Sequence, residues 1–303
     1  MRSVVFLAAL AACRPAAPTS LPPVATPAET ATAAASPTPW ILVGDQTTTA
    51  VQTVLTSWAD AQGLELRVES LAGQPATPPD GAAAVVGLES ELLPLLPAWS
   101  QAGVVFEVID PSALVAGAHT STLGPTVAYD QAGFLAGVAA GLATRTGLVG
   151  LLPVAGSDSA VDFRAGFEEG LLYSCPKCQL ETVSNPGQAA FGMDVVGIPP
   201  DSDLGPKAPG VSDLWLVVFG DAPLGSWAER VGARVRTAPE AVAGPALGRL
   251  WEGQPGEAWV FSAANGGLVT EVDPQAVSPG RERLLREAEA SLAEGWLVVG
   301  GGG

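Results

Sequence analysis

The sequence predicts an α/β protein whose strands form parallel sheets covered on both faces by helices. Three observations carry this expectation. Short, largely apolar runs such as Trp40 to Val43, Val104 to Ile109 and Leu214 to Phe219 have the pattern of strands buried on both sides. Stretches of helical periodicity alternate with them, as in βαβ units. The alternation then begins again after a break at Leu123-Gly124-Pro125.

Along the chain, Trp40 to Val43 reads as a strand closed by Gly44-Asp45, and Thr47 to Gln62 as a helix with Val51, Val54, Leu55 and Trp58 on one side. Leu64 to Val68 and Ala82 to Val86 are the next strands. A helix within Glu89 to Trp99, interrupted by Pro94 and Pro97, precedes the strand Val104 to Ile109. After the break come the helix Asp130 to Thr144, strand Leu148 to Leu152, helix Ser159 to Tyr173 and strand Gln179 to Val183. Gly133, Gly137 and Gly141 stand four apart on the first of these helices, giving it a face that a neighbouring helix can approach closely. A stretch rich in Pro, Gly and Asp, Ser184 to Ser212, reads as a surface loop before the strand Leu214 to Phe219. Helical patterns occupy Ser226 to Val231 and Pro239 to Trp251. Ala258 to Phe261 and Leu268 to Val272 flank the turn Asn265-Gly266-Gly267 and read as strands. Arg281 to Ala293 is an amphipathic helix, and Trp296 to Val299 reads as a last strand.

The N-terminus has a different character. Met1-Arg2-Ser3, the apolar run Val4 to Leu10 and then Ala11-Ala12-Cys13 have the order of a secretory signal. Leu10 to Cys13 resembles the bacterial lipobox, which implies removal of residues 1–12 and a diacylglyceryl group on Cys13. The apolar run is shorter than the about twenty residues a spanning helix needs, so attachment to the membrane is expected through lipid. Residues 13–39 are nearly all Ala, Pro, Thr and Ser and form a semi-extended tether to a body that begins at Trp40.

A net charge of -17 and the lack of a Lys/Arg cluster argue against nucleic acid as a partner. His119 is the only histidine, and neither a Gly-x-Ser-x-Gly elbow nor a phosphate-cradling loop occurs, so no catalytic residues, cofactor or enzymatic activity are expected. Cys175-Pro176-Lys177-Cys178 lacks the second pair of a zinc site, and no metal is expected there. Its position after a helix, not at the start of one, favours a local disulfide over a thioredoxin-type centre. Free thiols and an envelope thiol oxidoreductase remain the alternatives.

Three stretches carry a resemblance to a known family: Gln131 to Gly150 with Phe134-Leu135-Ala136-Gly137 inside it, Phe163-Arg164-Ala165-Gly166-Phe167-Glu168-Glu169-Gly170, and Asn265-Gly266-Gly267-Leu268. In content, order and spacing they resemble the basic membrane protein family, lipid-anchored substrate-binding proteins of ABC transporters similar to purine nucleoside receptor lipoproteins. The strand ending at Asp110 resembles another family segment. The resemblance implies the type I periplasmic-binding-protein fold, two Rossmann-like lobes with parallel sheets and a ligand cleft between them. The expected lobes are 40–125, with parts of 255–300 returning to it, and 126–254. It also implies a small solute, nucleoside-like, and an ABC transporter permease as partners.

Ligands of α/β lobes lie at the C-terminal ends of strands, which nominates Asp45, Asp110, Phe219, Gly220 and Asp221. Asp110 falls where the family keeps a carboxylate near ligand hydroxyls, and an ionised Asp suits that role as a pure acceptor. Phe219 or Trp227 could stack on a base. The departures from the family cluster at this end of the molecule. Asp45-Gln46-Thr47-Thr48-Thr49 lacks the family's Phe-Asn pair, Phe219-Gly220-Asp221-Ala222 replaces its small-residue turn, and Val231 to Val235 has no carboxylate. The expected function is solute binding on the outer side of the cell membrane. The alternative is a degenerate, non-transport envelope lipoprotein serving as sensor or scaffold.

Overall fold

The computed structural model describes residues 38–152, 158–183, 193–199, 213–219 and 231–300. The expectations for the signal, for Cys13, for most of the tether, for a helix at Ser226 to Arg230, and for Gly220, Asp221 and Trp227 lie outside these residues. The chain opens with β1 (Trp40–Gly44), α1 (Thr49–Gln62), β2 (Glu65–Glu69), β3 (Ala82–Leu88), α2 (Glu89–Leu92), α3 (Leu96–Gln101), β4 (Val105–Ile109) and β5 (Thr120–Val127). It continues through α4 (Tyr129–Ala143), β6 (Leu148–Leu151), α5 (Asp158–Ser174), β7 (Gln179–Thr182), β8 (Val195–Ile198), β9 (Asp213–Phe219) and β10 (Val231–Thr237). The last elements are α6 (Pro239–Trp251), β11 (Ala258–Phe261), β12 (Leu268–Val272) and α7 (Pro279–Ala293).

These strands make two six-stranded sheets, ordered β11-β5-β4-β3-β1-β2 and β12-β10-β9-β8-β6-β7. Every pairing in the first is parallel. Strand alternation sends Phe106 and Val108 to one face, against Trp99 and Leu92 of α3 and α2, and Ile109 to the other, against α1 and α6. On that second face α1 and α6 meet through Trp58 and Trp251, edge to face at 6.2 Å.

The second sheet is mixed. β6 pairs in parallel with β7 and β8, but β9 runs antiparallel to β8 and β10, and β12 antiparallel to β10. The connections on either side of β9, residues 199–212 and 220–230, are rich in Pro and Gly.

Three further expectations are corrected. Leu123-Gly124-Pro125 is not a break between lobes but lies within β5: Trp259 pairs with Leu123 and Phe261 with Val127, so the strand bulges at Gly124 (φ 81°) and Pro125. The segment read as loop contains β8, four buried residues. Trp296 to Val299 is not a strand. After Gly295 (φ 73°) it lies against the core through Leu297 and Val299 while Trp296 and Val298 stay 81% and 82% exposed.

The lobe boundaries shift as well. α6 packs on α1, β4 and β5, hence on the first sheet, whereas β12 belongs to the second sheet. The chain therefore passes between the sheets three times: from β5 to α4, from β10 to α6 and from β11 to β12. Within the second lobe, α4 is buried along nearly its whole length, and Gly133 and Gly137 face Gly166 and Gly170 of α5. Among the described residues no helix is long and apolar enough to cross a membrane, and the glycine face of α4 serves packing against α5.

Candidate functional site

In the first sheet the C-terminal ends of β1, β3 and β4 deliver Asp45, Glu89 and Asp110 to one edge. β3 lies between β1 and β4, so the backbones of Asp45 and Asp110 stand two strand spacings apart, about 10 Å. Both residues are exposed. Asp45 is fixed by its backbone N–H, which donates to Glu69 O at 3.0 Å. The turn that follows is held by Thr47 Oγ1 donating to Gly44 O at 2.7 Å, and Thr48 Oγ1 accepts from Val51 N to cap α1.

Asp110 is the one non-glycine residue with positive φ among the described residues, at 53°. It stands immediately before Pro111, whose ring restricts the preceding backbone further. Left-handed backbone costs about 1–2 kcal/mol for most side chains and less for Asp or Asn. The conformation is held from both sides. Asp110 N donates to Leu123 O at 2.9 Å, and the loop after it is clamped by Glu89, whose carboxylate accepts from the hydroxyl and N–H of Ser112, from Ala113 N at 3.1 Å and from Leu114 N at 2.9 Å. The Ser112 hydroxyl, followed by these N–H groups, holds the Glu89 carboxyl below its usual range. Sequence reasoning missed Glu89, because its partners lie in a loop after the following strand and no local pattern announces them.

In the second sheet the corresponding edge carries Leu152, Ile198 and Ala238 after β6, β8 and β10. Phe219 is not there. Since β9 is reversed, Phe219 pairs with Val195 at the start of β8, on the opposite edge, and the N-terminal Asp213, opposite Arg236, is the end of β9 that reaches the cleft edge. The expectation that Phe219 lines the cleft is therefore corrected, and the cause is strand direction.

The crossings are tied to one another. Ala128 N donates to Phe261 O and Ala238 N to Gly267 O, both at 2.9 Å, while Gln131 Oε1 accepts from Ala263 N at 2.9 Å. Asn265 Oδ1 accepts from Ser262 N at 3.1 Å and Gly267 N at 2.9 Å, and its amide donates to Val260 O at 2.7 Å. Asn265→Ala removes all three bonds and is expected to lower unfolding free energy by about 1–3 kcal/mol, read from the midpoint of urea denaturation at unchanged slope.

Cys175 and Cys178 are joined in a disulfide at the C-terminal end of α5. Among the described residues no group of three or more His, Cys, Asp or Glu side chains is placed to hold a metal ion.

The sequence matches no family model and no curated protein. Solved structures do match. An ABC transporter system solute-binding protein from Conexibacter woesei superposes with a TM-score of 0.54 at 15% identity, covering 86% of this chain and 98% of that one. A transcriptional activator of the comK gene from Bacillus halodurans superposes with a TM-score of 0.51 at 12% identity, covering 86% and 99%. At these identities the likeness is one of fold. With two Rossmann-like lobes linked by three crossings, the chain has the α/β fold of a type I periplasmic binding protein.

Proposed function

We propose that this protein is an extracytoplasmic solute-binding lipoprotein of an ABC transporter, anchored to the cell membrane through Cys13 and closing its lobes on a small, nucleoside-like solute. The observation that carries this reading is Asp110: an exposed carboxylate on left-handed backbone, at the strand ends where ligands of such folds lie. Asp45, about 10 Å away across two strand spacings, supplies a second acceptor on a scale that suits one small molecule bearing hydroxyl or amide donors. The fold is shared with the Conexibacter woesei solute-binding protein. Tethering by lipid would keep the lobes near a permease at high effective concentration.

Isothermal titration of the full chain against nucleosides, monosaccharides and polyols tests this. One-site saturable binding of at least one compound is expected, and no heat from any of them would overturn it. In that event the departure of Phe219 from the cleft edge would favour the degenerate sensor or scaffold. The shared fold of the Bacillus halodurans transcriptional activator is a precedent for non-transport use.

A further inference from the structure

Glu107 lies in the middle of β4 with 0% exposure, and neither carboxyl oxygen has a hydrogen-bond partner. Strand alternation places it on the face of Ile109, the side of the sheet that α1 and α6 cover. Its cross-strand neighbours are Val86 on β3 and Ser121 on β5, and the Ser121 hydroxyl is engaged by Glu257 N at 3.3 Å. The covering faces supply no charge. The buried residues of α1 are Val51, Leu55 and Ala59, and those of α6 are Val242, Ala243, Gly244, Ala246, Leu247 and Leu250. The remaining charged groups of these elements lie elsewhere. Glu240 pairs with Arg236 at 2.8 Å, Arg249 pairs with Glu257 at 2.6 Å, and Asp60 and Glu252 are exposed.

We propose that Glu107 is a proton-dependent latch between β4 and α6: as a neutral acid it lets α6 seal the first-lobe sheet, and as a carboxylate it forces water between them. The reason is electrostatic. An ionised carboxylate buried without a partner costs far more than its neutral form, so the site selects the acid. Burial alone, with no opposing charge, holds the carboxyl well above its usual range. α6 follows directly on the crossing at Thr237-Ala238, where Ala238 N bonds Gly267 O, so a loosened α6 frees one end of that crossing. The latch stands whether or not the cleft binds a solute.

The folded-state value lies above the unfolded one. The latch therefore contributes fully below the unfolded-chain value of about 4.3 and is lost as pH rises towards and through the folded value, with the folding constant falling about tenfold per pH unit across that window. The test is urea denaturation of the full chain and of Glu107→Gln from pH 5 to pH 9. The parent is expected to lose stability relative to the variant at the slope of one proton, and amide exchange in α6 and β4, corrected for intrinsic rate, is expected to accelerate with pH while α4 and α5 stay protected. Parallel pH profiles for the two proteins overturn the latch. Should the variant fail to fold, the parent decides alone: an infrared carbonyl band of a protonated carboxylic acid at neutral pH, assigned by isotope labelling of Glu, supports the latch, and its absence overturns it.

Discussion

Gly133→Ala and Gly166→Ala are each expected to lower unfolding free energy by about 3 kcal/mol or more, the upper end of overpacking effects, and together to prevent the second lobe from folding. A Cβ at Gly133 would sit 2.0 Å from the carbonyl oxygen of Phe163, and at Gly137 2.1 Å from that of Phe167. From the other side, a Cβ at Gly166 would sit 1.9 Å from Asp130 O and at Gly170 2.0 Å from Phe134 O. In each case the obstacle is backbone, which cannot rotate away as a side chain would, so the helices must part along their length. That separation would remove contacts from Phe163, Phe167 and Leu171, all buried in the shared core. Gly280, near the start of α7, has nothing within 4 Å of its would-be Cβ. Gly280→Ala is therefore the control, expected to leave stability unchanged or raise it by up to about 1 kcal/mol through the lower chain entropy of alanine. Urea denaturation of all the variants under one condition measures the contrast.

Asp110→Gly and Asp110→Asn are expected to weaken solute binding by about ten- to a hundredfold while leaving the fold intact. A hydrogen bond to a charged group contributes about 1.5–3 kcal/mol, which sets that range. Both replacements accept a φ of 53°, so the backbone that presents the site is kept and only the carboxylate is lost. Asp110→Ala should lose binding and, in addition, about 1–2 kcal/mol of stability from left-handed backbone. Titration of the three variants with a bound solute, beside their urea midpoints, separates the contact from the scaffold. Binding equal to the parent in Asp110→Gly would remove Asp110 from the site.

The parts of this architecture legible in the sequence are those written in local pattern. β1, β4 and β9 are largely apolar runs, α1 has its apolar period, and the four-residue glycine spacing on α4 announced a close helix contact. Asp45 and Asp110 were legible as the residues that end strands. What local pattern does not carry is direction and partnership. β9 has the residues of any buried strand, and its reversal depends on the connections around it, so Phe219 was expected at the wrong edge. β5 was hidden because Gly124 and Pro125 are usual breakers, tolerated here by a bulge against β11. The carboxyl of Glu107, between Phe106 and Val108, follows the alternation of a strand with one solvated face, and it is buried by α1 together with α6, which arrives more than a hundred residues later. Glu89 was missed for the same kind of reason.

The central claim is that one solute is held between the two sheets' C-terminal edges, and hydrogen exchange of the full chain with and without a bound compound tests it most directly. Slowed exchange is predicted on both edges at once, at residues 44–48 and 109–112 of the first lobe and at 151–152 and 237–238 of the second, with α4 and α5 unchanged. Protection confined to one lobe, or found away from these strand ends, would contradict it.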